Sequence, residues 1–363
     1  ICSMPWNAFA PDEVGRHNVI KPWLFEFFHQ PLDPQLRSDP QAVHDHFRWY
    51  LDLWTAADSR DFEGIFFSEH HFGAAYSPSP NLLISSVAAR TTRLRLGAIG
   101  SVTPYATPWR IVEEMAMLDH LTDGRLEIGL VSGIPPELAV VGITPEIAAA
   151  RHAEVSDVLD AALRQSVISH HGTQWNFDDL EIMPRFLQQP SPPVWTAVRS
   201  AGSAEKAGRR GWKACGGFLS AKEIAVAFDA YRKGATENGH PCGPEQIAVR
   251  RMVTFVDKPS EQREGVHQAK RALLEVLHAS AGSLPPWAAL LDRPDESIAA
   301  LSDEEFVSGT AEQVAEQLVE QCQVIGAGHM VVAFSERDRG RLEHSHELFS
   351  SEVAPALRAA AVS

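Results

Sequence analysis

Short apolar segments alternate with helix starts along the whole chain, and this alternation constrains the fold more than any other feature of the sequence. Eight such segments are predicted to be strands, at residues 23–28, 64–68, 94–102, 125–131, 193–198, 212–216, 247–256 and 329–334. Several are followed by a capping residue and a proline at the first helical position, as in Asp39-Pro40, Ser79-Pro80 and Thr107-Pro108. Eight strand–helix units predict a (β/α)₈ TIM barrel with insertions, with an open doubly wound sheet as the alternative.

Composition narrows the class of protein. The chain has 363 residues, 44% of them hydrophobic, which is enough to bury a large core. We find no break in composition and therefore predict one barrel domain over 1–363, with 278–308 as a possible lid loop or, alternatively, a solvated insertion.

Charge and cysteine content limit the partners. The formal charge of −15 disfavours nucleic acid and anionic membranes, although an anionic cofactor can still bind at a local cationic site. No apolar run is long enough to cross a membrane and no secretory signal is visible, so we predict a cytoplasmic protein. The four cysteines are far apart and form no CxxC motif, and the histidine pairs are poorly spaced for ligands, so no metal site is predicted.

The segment Glu69-His70-His71-Phe72 follows the second predicted strand directly. The carboxyl ends of parallel strands are where barrel enzymes place their active sites. Adjacent residues of a strand point to opposite faces, so one of the two imidazoles is expected to face the site. His70 and Glu69 are therefore candidates for acid–base chemistry, the other interpretation being satisfied polar residues at a strand end.

Two further segments at strand ends could hold a ligand. Ser200 to Ser203 follows the fifth strand and opens a helix, which gives either a phosphate cradle or an ordinary N-cap. Arg151 could add a positive charge, or be an ordinary surface arginine. Gly97 and Gly100 end the third strand, where the missing side chains allow close approach of a flat ring, or simply a tight bend.

These segments together resemble the bacterial luciferase-like flavin monooxygenases. The resemblance rests on an ordered set of motifs across roughly residues 20–335: Glu69-His70-His71-Phe72, Ser77-Pro78-Ser79-Pro80, the segment from Ala88 to Gly97, the segment from Pro108 to Asp119, Gly124-Arg125-Leu126-Glu127-x-Gly129, and the segment from Pro193 to Glu205. Each motif alone is weak, but their order is specific. The family fold is the (β/α)₈ barrel, in agreement with the strand count.

The resemblance implies a monooxygenase that uses reduced FMN, supplied by a separate flavin reductase, and O₂ to oxygenate a small organic substrate through a peroxyflavin. It places the family's flavin-side histidine on His70, its non-proline cis peptide on Ile99-Gly100, and its phosphate contacts on Ser200, Ser203 and Arg151. It also implies a homodimer through segments near 80–92 and 108–122, for which Ala88, Ala89, Met115 and Met117 are suitable surface residues.

The sequence departs from true luciferases at three positions. Val131 stands in place of their reactive cysteine, Ser132 in place of an arginine, and Thr107 in place of a histidine. Light emission from a fatty aldehyde is therefore not expected. Two alternatives are a deazaflavin-dependent oxidoreductase and a non-catalytic flavin-binding subunit, and His70 argues against the second.

Overall fold

The computed structural model of the protein describes residues 18–31, 33–72, 75–281 and 301–362. Eight parallel strands form its central sheet: β1 (Lys21–Glu26), β2 (Gly64–Phe67), β3 (Arg95–Ala98), β4 (Leu126–Val131), β5 (Val194–Val198), β6 (Lys213–Gly216), β7 (Ile247–Phe255) and β8 (His329–Phe334). Each pairs with the next in chain order, and β8 pairs with β1, with Val331 opposite Trp23. The sheet is therefore a closed barrel, which confirms the predicted (β/α)₈ fold.

Helices cover the outside of the barrel, as the capping signals predict. Those that follow the strands are α1 (Pro40–Ala56), α2 (Pro80–Ala88), α3 (Pro108–Leu121), α4 (Pro145–Arg164), α5 (Ala201–Arg210), α6 (Ala221–Glu237), α7 (Ala311–Ile325) and α8 (Arg339–Leu348). Capping boxes begin α5, α6 and α7, where Ser200, Ser220 and Thr310 accept hydrogen bonds from backbone N–H groups that the helix leaves unpaired. Additional helices are Pro34–Ser38, Pro135–Val140, Gln262–Ala281 and Ala354–Ala359.

Several short strands lie outside the barrel. Asn18–Val19 pairs with Ala361–Val362, Ser101–Val102 with β4, and Phe306–Gly309 with the carboxyl half of β7. Val167–His171 and Asn176–Glu181 form an antiparallel hairpin. None of the eight predicted strands lies between residues 131 and 193, so the sequence analysis missed this hairpin.

Aromatic residues fill the barrel interior. The rings of Trp23 and Phe66 stack with centroids 4.6 Å apart, and the Trp195 ring contacts Phe66 edge-on at 5.4 Å. Burying such large side chains is the main stabilising contribution available to a fold of this kind. Ile99 and Cys215 belong to the same cluster and reach the carboxyl end of the barrel. Side chains therefore fill the described barrel interior beneath that end.

Two predictions about surface and loop residues need correction. Ala88 and Met115 are buried within the protomer, whereas Ala89 and Met117 are exposed, so only part of the predicted dimer surface is available. The predicted lid loop 278–308 lies mostly at 282–300, outside the described residues. The two ends of the range 278–308 have regular secondary structure. The helix Gln262–Ala281 covers its first residues, and the strand Phe306–Gly309 covers its last ones. In the described ranges, no helix has the length and apolar character needed to cross a bilayer.

Candidate active site

A cleft of about 740 Å³ lies at the carboxyl end of the barrel strands. Glu69, His70, Ile99, Gly100, Ser200 and Ser203 all line it, so the structure brings six of the seven predicted site residues together. The cleft is large enough for a ligand of drug or cofactor size. Its wall includes apolar side chains from β1 and the loop after β6, among them Phe25, Phe27 and Phe218.

His70 lies directly after β2, and its imidazole is fixed by a residue from another part of the chain. Nδ1 donates a hydrogen bond to Oε1 of Glu137 at 2.9 Å. The Phe27 ring stacks on the imidazole with centroids 5.9 Å apart. In the described part of the chain no hydrogen bond occupies Nε2, which leaves that nitrogen available to a ligand. A buried carboxylate that holds one imidazole nitrogen sets the tautomer and the orientation of the ring.

Glu137 is the site residue that the sequence reasoning missed. It belongs to the short helix Pro135–Val140 after β4 and is only 3% exposed. The signal available in the sequence was Pro135-Pro136-Glu137, a helix start with an acidic residue in its first turn just beyond a barrel strand. Nothing in that pattern indicates which histidine it would contact.

Glu69 makes no hydrogen bond to the His70 imidazole in the described part of the chain. Its Oε1 accepts from Nε2 of His71 at 3.1 Å, and its Oε2 accepts from the backbone N–H of Val102 at 3.0 Å. Glu69 therefore orients the second imidazole and ties the end of β2 to the chain just beyond β3. His71 in turn packs against the ring of Tyr105, with centroids 4.7 Å apart, and does not line the cleft.

The peptide bond between Ile99 and Gly100 is cis, as the resemblance implies. A Cβ added at Gly100 would lie about 3.0 Å from the backbone carbon of Gly129 and from Cγ1 of Val131. The backbones of β3 and β4 are thus in close contact here, and a glycine is required for that approach. The two residues expose a narrow backbone surface on the cleft wall.

The amino end of α5 opens onto the cleft between Ser200 and Ser203. Ser200 Oγ accepts from the Ser203 N–H at 3.2 Å, and Ser203 Oγ accepts from the Ser200 N–H at 3.1 Å. Lys206 and Arg199 also line the cleft here, and among the described residues neither has a carboxylate within ion-pair distance. Two free cations and a helix amino terminus favour an anion at this end of the cleft.

Arg151 is the one predicted site residue that does not line the cleft. Its Nη1 donates to the Pro104 carbonyl at 2.9 Å, and its Nε donates to Gln174 Oε1 at 3.4 Å. It lies in the second turn of α4, and that turn presents the next residue, His152, to the cleft. Burial lowers the pKa of His152 to about 4, so this imidazole is neutral at pH 7, and Nδ1 hydrogen-bonds Thr103 Oγ1 at 2.9 Å.

Among the described residues no group of three or more His, Cys, Asp or Glu side chains is arranged to hold a metal ion. Cys215 lines the cleft but is buried, and burial raises the pKa of its thiol to about 12. A neutral thiol is a weak nucleophile. The chemistry available in the cleft is therefore that of an oriented imidazole, a buried carboxylate and an anion site.

Comparison with known proteins identifies the class to which this fold and site belong. Residues 25–329 match the family model described as luciferase-like monooxygenase, and the chain belongs to that family. It is thus related to oxidoreductases that act with a flavin-type cofactor.

Among individual relatives, the chain is 34% identical to an uncharacterised protein of Sinorhizobium fredii, over 83% of this chain and 89% of that protein. It is 32% identical to the oxygenase component of the flavin-dependent trigonelline monooxygenase of Acinetobacter baylyi, over 48% of this chain and 49% of that protein.

Solved structures share the fold at low sequence identity. The monooxygenase RslO1 of Streptomyces bottropensis has a TM-score of 0.77 at 22% identity, covering 93% of this chain and 99% of that one. The oxygenating constituent of 3,6-diketocamphane monooxygenase of Pseudomonas putida, in complex with FMN, has a TM-score of 0.71 at 21% identity, with coverages of 93% and 98%. An F420-dependent secondary alcohol dehydrogenase also has a TM-score of 0.71, at 15% identity, with coverages of 94% and 99%.

Proposed function

We propose that this protein is an FMN-dependent monooxygenase that receives reduced FMN from a separate flavin reductase and uses O₂ to oxygenate a small organic substrate. The observation that carries the proposal is that the His70–Glu137 pair and the amino end of α5 open onto the same cleft. Family membership supports the flavin, and the relative named as an oxygenase component supports a separate reductase.

The residues of the cleft fit FMN. Its phosphate would be held by Ser200, Ser203 and the N–H groups at the start of α5, with Lys206 and Arg199 supplying positive charge. Arg151 contributes less than the sequence suggested, because its guanidinium is engaged elsewhere. The ring would lie against Ile99 and Gly100, which both line the cleft.

When bound and reduced, the flavin supplies the electrons that activate O₂. The protein's own residues orient and protect this chemistry. His70, held through Nδ1 by Glu137, presents Nε2 to donate or accept a proton at the reacting atoms. The aromatic wall of the cleft keeps water away, which suppresses loss of reducing equivalents as peroxide.

Two measurements test this function. Titration with oxidised FMN and with riboflavin, followed by flavin fluorescence, should show tighter binding of FMN because only FMN has the phosphate. A screen of organic compounds with FMN, NADH, a flavin reductase and ¹⁸O₂ should then give a product that carries one labelled oxygen. Failure to bind FMN, or products that carry no label across the screen, would contradict the proposal.

The alternative that a specific observation favours is a deazaflavin-dependent oxidoreductase, because an F420-dependent dehydrogenase shares the fold equally well by TM-score. The two functions differ in their need for oxygen. Turnover under argon with reduced or oxidised F420, and none with FMN in air, would establish the alternative. A non-catalytic flavin binder would bind FMN and show no turnover in either assay, whereas the oriented His70 favours an enzyme.

We also propose that the protein forms a homodimer through the exposed faces of α2 and α3. Leu82, Met117 and Leu121 are each more than half exposed on these helices, and apolar side chains clustered in this way are typical of subunit contacts. Light scattering in solution should give twice the protomer mass, and Leu82→Lys combined with Met117→Lys should lower it to one. A monomeric wild-type protein would contradict this proposal.

A further inference from the structure

Arg250 is a buried cation on the wall of the cleft, away from the end proposed for phosphate. It lies on β7, is only 6% exposed, and lines the cleft. Its guanidinium lies over the Phe218 ring at 4.4 Å and near the Phe25 ring at 5.7 Å. An arginine in such apolar surroundings needs an anion or several acceptors to be stable.

The hydrogen-bond acceptors near Arg250 are too few for the donors of its guanidinium. Nη2 of Arg250 donates to Oε1 of Glu305, but Nη1 is buried and has no hydrogen-bond partner in the described part of the chain. Glu305 is shared, because its Oε2 accepts from Arg251 Nη1 at 3.2 Å and from the Phe218 N–H at 2.7 Å. Glu305 is therefore shared between two buried guanidinium groups, and Nη1 of Arg250 has no acceptor among the described residues.

The position of Arg250 in the barrel separates it from the phosphate end. The barrel order places β6 between β5, which ends at Val198 shortly before Ser200, and β7, which carries Arg250. In the other direction β8 and β1 lie between β7 and β2, after which His70 follows. Arg250 thus lies on a different strand of the barrel from both the proposed phosphate site and the imidazole.

A continuous aromatic surface connects Arg250 with His70. The Phe25 ring contacts the guanidinium at 5.7 Å and the Phe27 ring at 4.8 Å, and Phe27 stacks on the His70 imidazole at 5.9 Å. A ligand anchored at Arg250 and packed along these two rings would have its far end beside His70. This surface suits a flat or alicyclic apolar body.

We propose that Arg250 binds the carboxylate of the organic substrate, so that the enzyme acts on an aromatic or alicyclic carboxylic acid whose carbon skeleton lies along Phe25 and Phe27. This assignment rests on the proposed monooxygenase function, because it names the substrate class of that site. A carboxylate would supply the missing acceptor for Nη1, and a planar guanidinium is the side chain best suited to bind it.

The test compares a carboxylic acid with its neutral amide. Binding of 2-naphthoate and 2-naphthamide to the full-length protein saturated with FMN is measured by isothermal titration calorimetry. We expect the acid to bind at least about tenfold more tightly, since a charge-assisted hydrogen bond is lost with the amide. Arg250→Gln should reduce this preference to less than about twofold while changing the Kd of FMN by less than about threefold.

Arg199→Gln is the matched control, because its guanidinium lies over the same Phe218 ring at 5.5 Å but belongs to the proposed phosphate end. It should weaken FMN and keep the preference for the acid. Arg250→Lys retains the positive charge but lacks the planar guanidinium, so it should keep part of the preference for the acid. It takes the place of Arg250→Gln if circular dichroism shows that Arg250→Gln does not fold.

Three results would overturn the assignment: equal binding of acid and amide to the wild-type protein, an acid preference as large in the Arg250 variant as in the wild type, or a loss of FMN affinity in that variant as large as in Arg199→Gln. The last result would place Arg250 in the flavin site. If the wild-type protein does not bind FMN, acid and amide binding is measured without FMN. A preference for the acid would then support the carboxylate site, whereas the failure to bind FMN would contradict the proposed function.

Discussion

Nδ1 of His70 lies 2.9 Å from Oε1 of Glu137, and this contact joins the end of β2 to the helix that follows β4. The two residues are 67 positions apart in the chain. Only the closure of the barrel brings them together. The pair gives the cleft an oriented imidazole.

Glu137 is expected to act as a positioning residue for His70. Replacing it by Gln removes the charge but keeps an oxygen that can accept from Nδ1. We expect Glu137→Gln to lower kcat about tenfold and Glu137→Leu to lower it about 10²-fold, in the range found for groups that support acid–base catalysis. The KM for reduced FMN should change little, and Glu137→Asp should recover part of the loss. If kcat and KM change together in every variant, the carboxylate has a general structural role instead.

The neighbouring histidines provide a matched pair of substitutions. His70→Ala removes the imidazole that lines the cleft, so turnover should fall about 10²–10⁴-fold. His71→Ala removes a ring that contacts Glu69 and Tyr105 outside the cleft, so turnover should fall far less. Steady-state rates of the labelled product distinguish the two variants. Equal losses would mean that the strand end as a whole, rather than one imidazole, supports the reaction.

The phosphate end predicts a difference between FMN and riboflavin. Lys206→Met should weaken FMN about tenfold, because it removes an unpaired cation beside the α5 amino end, and should leave riboflavin unchanged. Arg151→Met should affect FMN much less, since Arg151 is bonded to Pro104 and Gln174. Fluorescence titration of both ligands measures the effect. A larger effect from Arg151→Met than from Lys206→Met would restore the assignment made from the sequence.

Buried histidines predict a loss of stability in mild acid. Burial lowers the pKa of His346 to about 3, against an ordinary value near 6.5, and its ring packs between Phe62 and Phe334. Below about pH 6.5, His346 is protonated in the unfolded chain but stays neutral in the folded protein. Protonation of this residue therefore lowers the free energy of unfolding by about 1.4 kcal/mol per pH unit.

The control for this prediction is His346→Leu, which cannot bind the proton. Urea unfolding at pH 7.5 and pH 5 should show that the wild-type protein loses more stability than the variant over this interval. Glu336, whose pKa is raised to about 7 by burial, acts in the opposite direction and is present in both proteins. Identical losses in the two proteins would show that His346 is not responsible.

The barrel could be predicted from the sequence because each of its elements has a local signal. An apolar run marks each strand, and Asp39-Pro40 or Thr310-x-x-Gln313 marks a helix start without reference to the rest of the chain. The hairpin Val167–His171 with Asn176–Glu181 was missed because its strands are polar and mostly exposed, so their alternation is weak. The strand Phe306–Gly309 was missed because it is short and lies inside a long candidate loop.

The site could be predicted only where residues of one segment act together. His70, Ile99, Gly100, Ser200 and Ser203 lie at strand ends, so the fold brings them to the cleft. Glu137 and Arg250 depend on side-chain directions across the barrel, which spacing in the sequence does not reveal. The same holds for Arg151. The sequence indicates that it lies near the start of α4, but does not indicate that its side chain donates to the Pro104 carbonyl instead of lining the cleft.

Phe218 has a left-handed backbone conformation, with φ at 67°, and its N–H is held by Glu305 at 2.7 Å. Its ring contacts both Arg199 and Arg250, whose guanidinium carbons lie 5.5 Å and 4.4 Å from its centroid. The proposed phosphate site and the proposed carboxylate site would therefore share one aromatic side chain, so a movement of that ring on binding of one ligand would also displace the arginine that binds the other. Through such a movement each ligand would change the affinity of the other by the same factor.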